Sequence, residues 1–387
     1  MIVDVGPVAH GGSCVARSEG RVIFVRHALP GERVRIRVTE RKKSYWRADA
    51  VEILTASPDR VEAPCRFAGA CGGCDFQHVS AEGQRRLKTA VLREQLTRLA
   101  GMSESEVSRY AVESLPGGLL GWRTRMQYAV DGSGRAGLRA HRSRDLVHID
   151  ECLIADPRIR ETDVLRREWK GSNVVGVAAS DAAEVSVYTQ RDRRGKGRLV
   201  SGPPEPEHIV SGHWFALDAE AFWQPHTLAA DVLSARVAEL AEPADADTVW
   251  DLYAGAGLFA AVLADEVGPA GRVVAVESDT RTHTESNLRE LPQAEWRRAD
   301  VARALPDLPS PDLVVLDPPR SGAGAEVTAG IAAANPRRIV YVACDPAALA
   351  RDLKTFATNG YTLSTLEAYD AFPMTHHFET VAVLERR

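Results

Sequence analysis

The stretch Asp251-Leu-Tyr-Ala-Gly-Ala-Gly-Leu-Phe259 marks a passage from an apolar strand pattern to a helical pattern. Short apolar runs are typical of buried strands, and glycines mark the turns that follow them. The same alternation of strand and helix continues from about Asp218 onward, which indicates a doubly wound α/β sheet. Its strands are predicted at residues 248–253, 272–277, 313–317 and 338–343, with a closing antiparallel strand at residues 380–385.

Acidic residues follow successive strands of this predicted sheet. Glu277 ends the strand after the glycine turn, and Asp300 follows a third strand-like stretch at residues 294–299. The carboxyl ends of parallel strands meet at one edge, where open α/β sheets bind their ligands, and an acid there is placed to bind ribose hydroxyls. The residues therefore predict a nucleoside-containing cofactor, with Glu277 and Asp300 among its contacts.

Two cofactors are compatible with the glycine turn. Gly255-x-Gly257-x-x-Ala260 satisfies the dinucleotide fingerprint, so NAD is one candidate. Asp251 would repel a pyrophosphate but would pair with a cationic amino-acid moiety. S-adenosylmethionine (SAM) has that moiety and no phosphate, so the residues favour SAM over NAD. The SAM contacts predicted at the turn are Asp251, Tyr253, Gly255 and Gly257.

Cys344 stands at the carboxyl end of the strand predicted at residues 338–343, before Asp345-Pro346 and a helical segment. Amides at the start of a helix favour a thiolate over a thiol. The charge of Asp345 raises the thiol pKa and partly opposes that effect. We therefore expect the thiolate to form mainly with substrate bound. For a cysteine considered alone, a packing role is the alternative.

The segments around Cys344 supply the other groups of a methyl transfer to a pyrimidine. Asp317 faces the same crevice as a predicted SAM contact, and Arg320 replaces the aromatic residue that enzymes methylating exocyclic amines place after Asp-Pro-Pro. A thiolate can add to C6 of a pyrimidine, which makes C5 nucleophilic enough to attack a sulfonium methyl group. A base must then remove the C5 proton, and Glu379 begins the last strand. A solvated strand-edge carboxylate is the alternative for Glu379.

The chain resembles the RNA 5-methyluridine methyltransferase family, the uracil-C5 enzymes of tRNA and rRNA, over essentially its full length. The matching motifs are residues 251–259, Asp317-Pro-Pro-Arg320, Cys344 before Pro346, Phe372-Pro-Met-Thr-His-His-Phe-Glu379 and Phe222-Trp-Gln224. The resemblance implies a class I (Rossmann-like) SAM methyltransferase domain. It also implies Cys344 as nucleophile, Glu379 as general base and Gln224 near cofactor and base. Pro225-His226 departs from the family's usual Val-Asn, and Asp345 from its usual Asn.

The front part of the chain is basic, although the formal net charge is −5. Residues 1–150 contain 24 Lys and Arg against 17 Asp and Glu, which suggests that this part meets a polyanion. A predicted loop at residues 41–47 combines cations with Tyr45 and Trp46, which suits phosphates and stacked bases. A solvated hairpin tip is the alternative there. A small OB-like β-barrel is predicted from strand patterns at residues 2–5, 21–25, 33–38 and 48–53.

Four cysteines form a candidate metal site. Cys65, Cys71 and Cys74 are separated by five and then two residues, and Cys152 is the candidate fourth ligand. In a reducing compartment such a cluster indicates metal ligands rather than disulfides. Four thiolates suit either zinc or an iron–sulfur cluster, and the spacing leaves both open. The family resemblance implies the 4Fe–4S cluster.

The sequence predicts three domains. They are an OB-like TRAM domain at residues 1–56, a central iron–sulfur domain at residues 57–216 and a methyltransferase domain at residues 217–387. An amphipathic helix is predicted at residues 81–99, and the helical segment at about 78–108 is expected to pack on the catalytic domain. Residues 190–198 are predicted to form a loop or hairpin tip.

The sequence predicts an enzyme that methylates uracil C5 in structured RNA, either rRNA or tRNA, through a covalent cysteine adduct and base flipping. The cluster ligands favour the rRNA branch. Two alternatives are a cytosine-C5 RNA methyltransferase and a non-catalytic RNA-binding iron–sulfur protein. The amino terminus shows no leader pattern and no apolar stretch reaches the length of a membrane span, so a cytoplasmic location and no membrane partner are expected.

Overall fold

The computed structural model of the protein describes residues 1–191 and 196–386. Its strands form a closed barrel, a six-stranded sheet, a two-stranded sheet and an eight-stranded sheet. None of the described helices is long and apolar enough to cross a membrane. The loop predicted at residues 190–198 falls partly on residues 192–195, which lie outside the described chain.

The amino-terminal segment forms the closed barrel. Its strands are β1 Ile2–Val8, β2 Cys14–Ser18, β3 Arg21–Arg26, β4 Arg33–Arg41 and β5 Tyr45–Thr55, in the order β1-β2-β3-β5-β4. In β4, Val34 and Ile36 are buried while the arginines between them are exposed, because successive side chains of a strand point to opposite faces. The predicted OB-like barrel with a basic outer face is confirmed.

The loop predicted at residues 41–47 is largely wrong. Arg41 still belongs to β4 and Tyr45 already belongs to β5, so only residues 42–44 form the turn. Tyr and Trp favour strands, and here Trp46 pairs with Arg41 across the two strands. The guanidinium groups of Arg21 and Arg41 lie 4.9 and 5.1 Å from the centre of the Trp46 ring, so cations and aromatic rings share a strand face.

Helix α1, Ala81–Gln95, connects the barrel to the carboxyl-terminal sheet. It begins at Ser80, whose hydroxyl accepts the Gly83 amide, and its last turn continues as a π-helix over Leu96–Ala100. Leu87 and Val91 pack into the barrel core, whereas Leu92 and Leu96 pack into the core beneath the carboxyl-terminal sheet. A short helix α2, Glu104–Val107, and strand β6, Val112–Ser114, follow.

The middle of the chain forms an antiparallel sheet with the order β12-β11-β10-β7-β8-β9. Its elements are β7 Arg125–Val130, β8 Ala136–Arg139, β9 Leu146–Val147, α3 Pro157–Arg160, β10 Val174–Ala179, β11 Val185–Gln190 and β12 Arg198–Ser201. A hairpin of β13 Glu207–Val210 and β14 His213–Ala216 leads to the last part of the chain.

The carboxyl-terminal part forms the predicted doubly wound sheet, with helices on both faces. Its strands are β15 Thr248–Leu252, β16 Arg272–Glu277, β17 Ala294–Arg298, β18 Leu313–Leu316, β19 Arg338–Ala343, β20 Tyr361–Asp370 and β21 Glu379–Arg386. Its helices are α4 Ala229–Ala241, α5 Leu258–Glu266, α6 Thr284–Asn287, α7 Val301–Ala304, α8 Gly324–Ala334 and α9 Pro346–Thr358, with 3₁₀ turns at Thr280–Thr282 and Leu305–Asp307.

The strand order is β17-β16-β15-β18-β19-β21-β20-β6. The chain runs outward from β15 in one direction through β16 and in the other through β18, so the crevice at their carboxyl ends is a topological switch point. The sequence analysis did not identify β20, whose polar residues alternate with buried ones, or β6, which has only three residues. β6 pairs in parallel with the end of β20 and completes the sheet.

Candidate active site

The turn between β15 and α5 is shaped by residues in the left-handed backbone region. Tyr253, Gly255 and Gly257 have φ values of +63°, +56° and +88°. A Cβ atom on Gly257 would meet the side chain of Leu288 at 3.0 Å, so this position is restricted to glycine by both conformation and space. Glu277 at the end of β16 accepts the Gly255 amide at 3.0 Å and so fixes the turn.

A cavity of about 1050 Å³ lies along the carboxyl ends of the sheet strands. The predicted site residues that line it are Gln224, Tyr253, Gly255, Glu277, Asp317, Cys344 and Glu379, together with Cys65, Cys71, Cys74 and Cys152. The glycine turn, the Cys344 region and the cysteine cluster therefore share one continuous space.

Asp251, Gly257 and Asp300 are not among the described residues that line this cavity. Asp251 is fully buried, and its Oδ2 accepts the Ala260 amide in the first turn of α5 at 2.8 Å. Burial, with the charges of Asp317 and Glu277, raises the pKa of Asp251 to about 7. Asp251 Oδ1 is buried and has no hydrogen-bond partner in the described chain, so the predicted pairing of Asp251 with a cationic ligand group stays a prediction. Asp300 is exposed ahead of α7.

The pairing of β19 with β21 brings Cys344 and Glu379 together. Ala343 is opposite Thr380 in the antiparallel register, and the Thr380 hydroxyl donates to the Ala343 carbonyl at 2.8 Å. The next residue on one strand is Cys344, and the preceding residue on the other is Glu379. Asp317 follows β18, the other neighbour of β19, so three chemically active groups converge at one edge.

Burial is the largest cause that raises the pKa of the Cys344 thiol, to about 12, and the charges of Glu379 and Asp317 add to it. Asp345 makes a smaller contribution in the same direction, and Arg320 opposes it. Asp345 caps α9 by accepting the Ala348 amide at 2.8 Å and also contacts His10 Nε2 of the barrel at 3.0 Å. The predicted preference for thiolate at the helix start is therefore outweighed in the free protein.

Glu379 and Asp317 are buried carboxyl groups close to each other. Burial raises the pKa of Asp317 to about 7, and burial together with the charge of Asp317 raises the pKa of Glu379 above its usual range. The Gln224 amide donates to Asp317 Oδ2 at 3.5 Å. Gln224 Oε1 and Glu379 Oε2 are buried and have no hydrogen-bond partner in the described chain. Such unsatisfied atoms are rare unless a ligand meets them.

Comparison with known proteins identifies the family. The chain is 44% identical to an RNA methyltransferase of Streptomyces avermitilis, over 99% of this chain and 97% of that protein. Residues 307–387 match the family model "tRNA (Uracil-5-)-methyltransferase", and residues 1–51 match the TRAM domain. The chain belongs to the RNA uracil-5-methyltransferase family. The resemblance and the fold class inferred from the sequence are thereby confirmed.

Two further proteins are similar to this methyltransferase over its whole length. An RNA methyltransferase of Corynebacterium efficiens is 36% identical, covering 100% of this chain and 95% of that protein. The solved structure of a Pyrococcus abyssi tRNA (uracil-54, C5)-methyltransferase in complex with S-adenosyl-L-homocysteine superimposes with a TM-score of 0.72 at 23% identity. That alignment covers 98% of this chain and 99% of the other chain, and it supports the fold of the methyltransferase.

The four cysteines of the methyltransferase line the same cavity, where Cys152 is buried and the other three are half-buried. Burial raises the pKa of Cys74 to about 12 and that of Cys152 to about 11, and neighbouring cysteines add to both. A Cβ atom on Gly72 would lie 2.7 Å from the His141 backbone, so the loop that carries Cys71 and Cys74 packs closely against residues 140–141. Four sulfur donors facing one space are a donor set for a thiophilic metal group. Four thiolates suit either tetrahedral zinc or an iron–sulfur cluster, so the donor set leaves both metal groups open.

The sequence analysis missed two residues that position the site. Arg125 of β7 donates to the carbonyls of Ala219 and Ala221 at 2.9 and 2.8 Å, which fixes the segment leading to Gln224. Trp122 lines the cavity and stacks against His226 with ring centres 5.8 Å apart, so the unusual histidine supports a residue of the cavity wall. Nothing in the sequence indicated the partners of Arg125, because they lie more than 90 positions away.

Proposed function

We propose that this methyltransferase transfers a methyl group from SAM to C5 of a uridine in folded RNA through a covalent adduct between Cys344 Sγ and uracil C6. The observation that carries the proposal is the register of β19 and β21, which sets Cys344 beside Glu379 in the cavity that also contains the glycine turn. A nucleophile, a base and a nucleoside-binding turn in one space are the parts that this reaction needs.

The residues would act in a fixed order. Cys344 Sγ would add to C6, which makes C5 nucleophilic. C5 would then bond to the electrophilic methyl group that SAM supplies when bound, as the methyl–sulfur bond breaks and its electron pair stays on sulfur to leave S-adenosylhomocysteine. Glu379 then takes the C5 proton, the C5–C6 double bond re-forms and the C6–S bond breaks, which returns Cys344. The raised pKa of Glu379 makes this carboxylate a stronger base than an ordinary one.

The high pKa of Cys344 requires a cause for its activation. Arg320 already lowers the pKa of the Cys344 thiol. Substrate binding would bring Arg320 and the dipoles of the uracil carbonyls against this thiol. Asp317, whose pKa burial raises to about 7, would accept the Cys344 proton once contacts with the substrate have lowered the pKa of the thiol. Activation would thus be tied to occupancy of the cavity.

SAM would bind along the glycine turn. Gly255 and Tyr253 line the cavity there. The Glu277 carboxylate accepts backbone amides and still has free lone pairs, so it would also accept hydrogen bonds from the ribose hydroxyls. Gln224 and Asp317 would face the methyl group and the base. Gly257 and Asp251 Oδ2 would act by shaping the turn, Asp251 Oδ1 would pair with the amino-acid moiety of SAM, and Asp300 lies outside the cavity lining.

The RNA would contact the barrel and the rim of the cavity. Arg21, Trp46 and Arg41 form a cation–aromatic surface suited to phosphates and bases. Phe222, 61% exposed, lines the cavity next to the Gln224 segment. A uracil inside folded RNA must leave its stack to reach Cys344, so we propose base flipping into the cavity. Mapping 5-methyluridine in the RNA of a deletion strain would identify the modified rRNA or tRNA position.

We further propose that Cys65, Cys71, Cys74 and Cys152 hold a structural 4Fe–4S cluster. The four cysteines line the same cavity, and four thiolates are the usual ligand set of such a cluster. Iron and acid-labile sulfide should be present in protein purified without oxygen and absent from the Cys65→Ser variant. Protein that contains zinc and no iron would refute the cluster.

A trapping experiment tests the covalent mechanism. RNA containing 5-fluorouridine should form an adduct stable to denaturing electrophoresis, because the C5 fluorine cannot leave as a proton does. The adduct should require SAM and should be lost in Cys344→Ala but retained in the control Cys14→Ala, since Cys14 is buried in the barrel. An adduct that persists in Cys344→Ala would contradict the proposal. Adduct formation with 5-fluorocytidine RNA instead would indicate a cytosine enzyme.

A further inference from the structure

The segment between β20 and β21 forms a wall of the cavity. We call residues 371–378 the base loop, because Glu379 follows it directly. Phe372, His376 and His377 of this loop line the cavity, and Met374 adopts a left-handed conformation with φ of +67°. A loop with such a conformation keeps it only where surrounding contacts hold it.

Two buried polar residues of α1 hold the base loop. Lys88 is 1% exposed, and its ammonium group pairs with Asp370 and donates to the Phe372 carbonyl at 3.1 Å. Gln84 is fully buried, and its Oε1 accepts the Met374 amide at 2.8 Å. Helix α1 therefore fixes the loop at its start and in its middle.

A third set of contacts comes from the segment that follows Cys74. The amides of Asp75 and Phe76 both donate to the Met374 carbonyl at 2.9 Å, and the Asp75 carboxylate accepts from His376 Nδ1 at 2.6 Å. Both polar groups of the Met374 backbone are thus used by residues far away in the sequence. The loop has one defined position because two separate segments, α1 and the segment after Cys74, specify it through three sets of contacts.

Stability alone does not account for the Lys88 pair. A buried ion pair must repay the desolvation of both charges and contributes little net stability compared with apolar residues of the same size. The pair does fix positions, because one ammonium group carries three N–H donors and can hold two acceptors at defined places. Here those acceptors are on the last residue of β20 and on the base loop.

We propose that Lys88 and Gln84 are positioning residues that hold the base loop so that Glu379 meets the C5 proton beside Cys344. The inference rests on the proposed function, in which Glu379 is the base. Adduct formation by Cys344 precedes proton removal by Glu379. A displaced base loop should therefore slow the last step and leave the covalent intermediate to accumulate.

The test compares adduct with turnover on unmodified RNA, using the full chain. Lys88→Met combined with Asp370→Asn removes both buried charges, and Gln84→Met removes the acceptor of the Met374 amide without touching that pair. Each should raise the ratio of denaturation-resistant adduct to 5-methyluridine formed at least tenfold, with unchanged SAM affinity. Arg85→Met is the control on the same helix, because Arg85 makes no described hydrogen bond or ion pair with the loop.

The outcomes separate the two levels of the proposal. Glu379→Gln should accumulate the adduct most strongly, and its failure to do so would overturn the assignment of the base and this inference with it. Accumulation in Glu379→Gln but an unchanged ratio in both α1 variants would overturn the positioning role alone. Parallel loss of adduct and product would also overturn it, since a general destabilisation lowers both. Amide exchange at Met374 should increase in Gln84→Met.

Discussion

We expect Cys344 of the free enzyme to react slowly with iodoacetamide at neutral pH. Burial and the neighbouring acids raise the pKa of its thiol from an ordinary value of 9.0 to about 12. Since the thiolate is the reactive form, a difference of this size corresponds to about 1,000-fold less thiolate than in an ordinary cysteine. The alkylation rate should also increase about tenfold with each pH unit up to about pH 10.

Substitutions around Cys344 should change this rate in a defined order. Glu379→Gln removes the largest charge contribution and should accelerate alkylation more than Asp345→Asn, whose contribution is the smallest among the acids. Neither variant should reach the rate of an ordinary thiol, because burial is the largest cause and both leave it in place.

The rate can be measured on a single peptide. Trypsin releases residues 339–351, which contain Cys344 as their only cysteine, and the alkylated fraction is read by mass spectrometry with free cysteine as the reference. The reasoning would be refuted by a wild-type rate within tenfold of free cysteine at pH 7.5, or by a rate that no longer increases above pH 8.

Three further predictions concern the cofactor turn and the barrel. Gly257→Val should lower the free energy of unfolding by about 1–3 kcal/mol in thermal or urea denaturation, because its backbone has φ of +88° and Leu288 is 3.0 Å from the new Cβ. Glu277→Ala should weaken SAM binding about 10–100-fold in calorimetry, since it removes the acceptor of the Gly255 amide, whereas the exposed Glu285→Gln should bind normally. Glu32→Gln should destabilise the chain by about 3 kcal/mol, because it breaks the pair with Arg60. Burial opposes the ionised form of Glu32, but the hydrogen bonds from Arg60, Ser57 and Leu29 outweigh it and lower the pKa of this carboxyl group. The stability that the ionised Glu32 contributes is therefore complete above the ordinary carboxyl pKa and is lost as the pH falls from there through the lowered pKa. An equal loss of stability in Glu32→Gln at low and neutral pH would contradict this account.

The strands that were predicted correctly are those whose own residues carry a strand pattern. The strands at residues 272–277 and 338–343 coincide with β16 and β19, because continuous apolar runs between turn residues are typical of buried parallel strands. The meeting of Cys344 and Glu379 could be anticipated, since both lie at ends of neighbouring strands. Their side-by-side position depends on the register of β19 and β21, which only the folded chain supplies.

What the sequence could not indicate depends on side-chain direction and on distant partners. Asp251 has the residue type and position of a ligand contact, yet one of its carboxylate oxygens, Oδ2, already accepts the Ala260 amide in α5. Lys88 and Gln84 occupy an amphipathic helix pattern as ordinary polar residues, and their partners are more than 280 positions away. No local periodicity distinguishes a buried lysine that contacts a loop from a solvated one.

The short strand β6 has a practical consequence for dividing the chain. It covers the outer edge of β20, and Leu92 and Leu96 ahead of it fill the core beneath the catalytic sheet. A fragment that begins at residue 217 would carry an open strand edge and an uncovered apolar face, both of which promote aggregation. We therefore expect that residues 217–387 do not fold as an independent module, and that a fusion or minimal enzyme built from this chain needs the segment from α1 through β6.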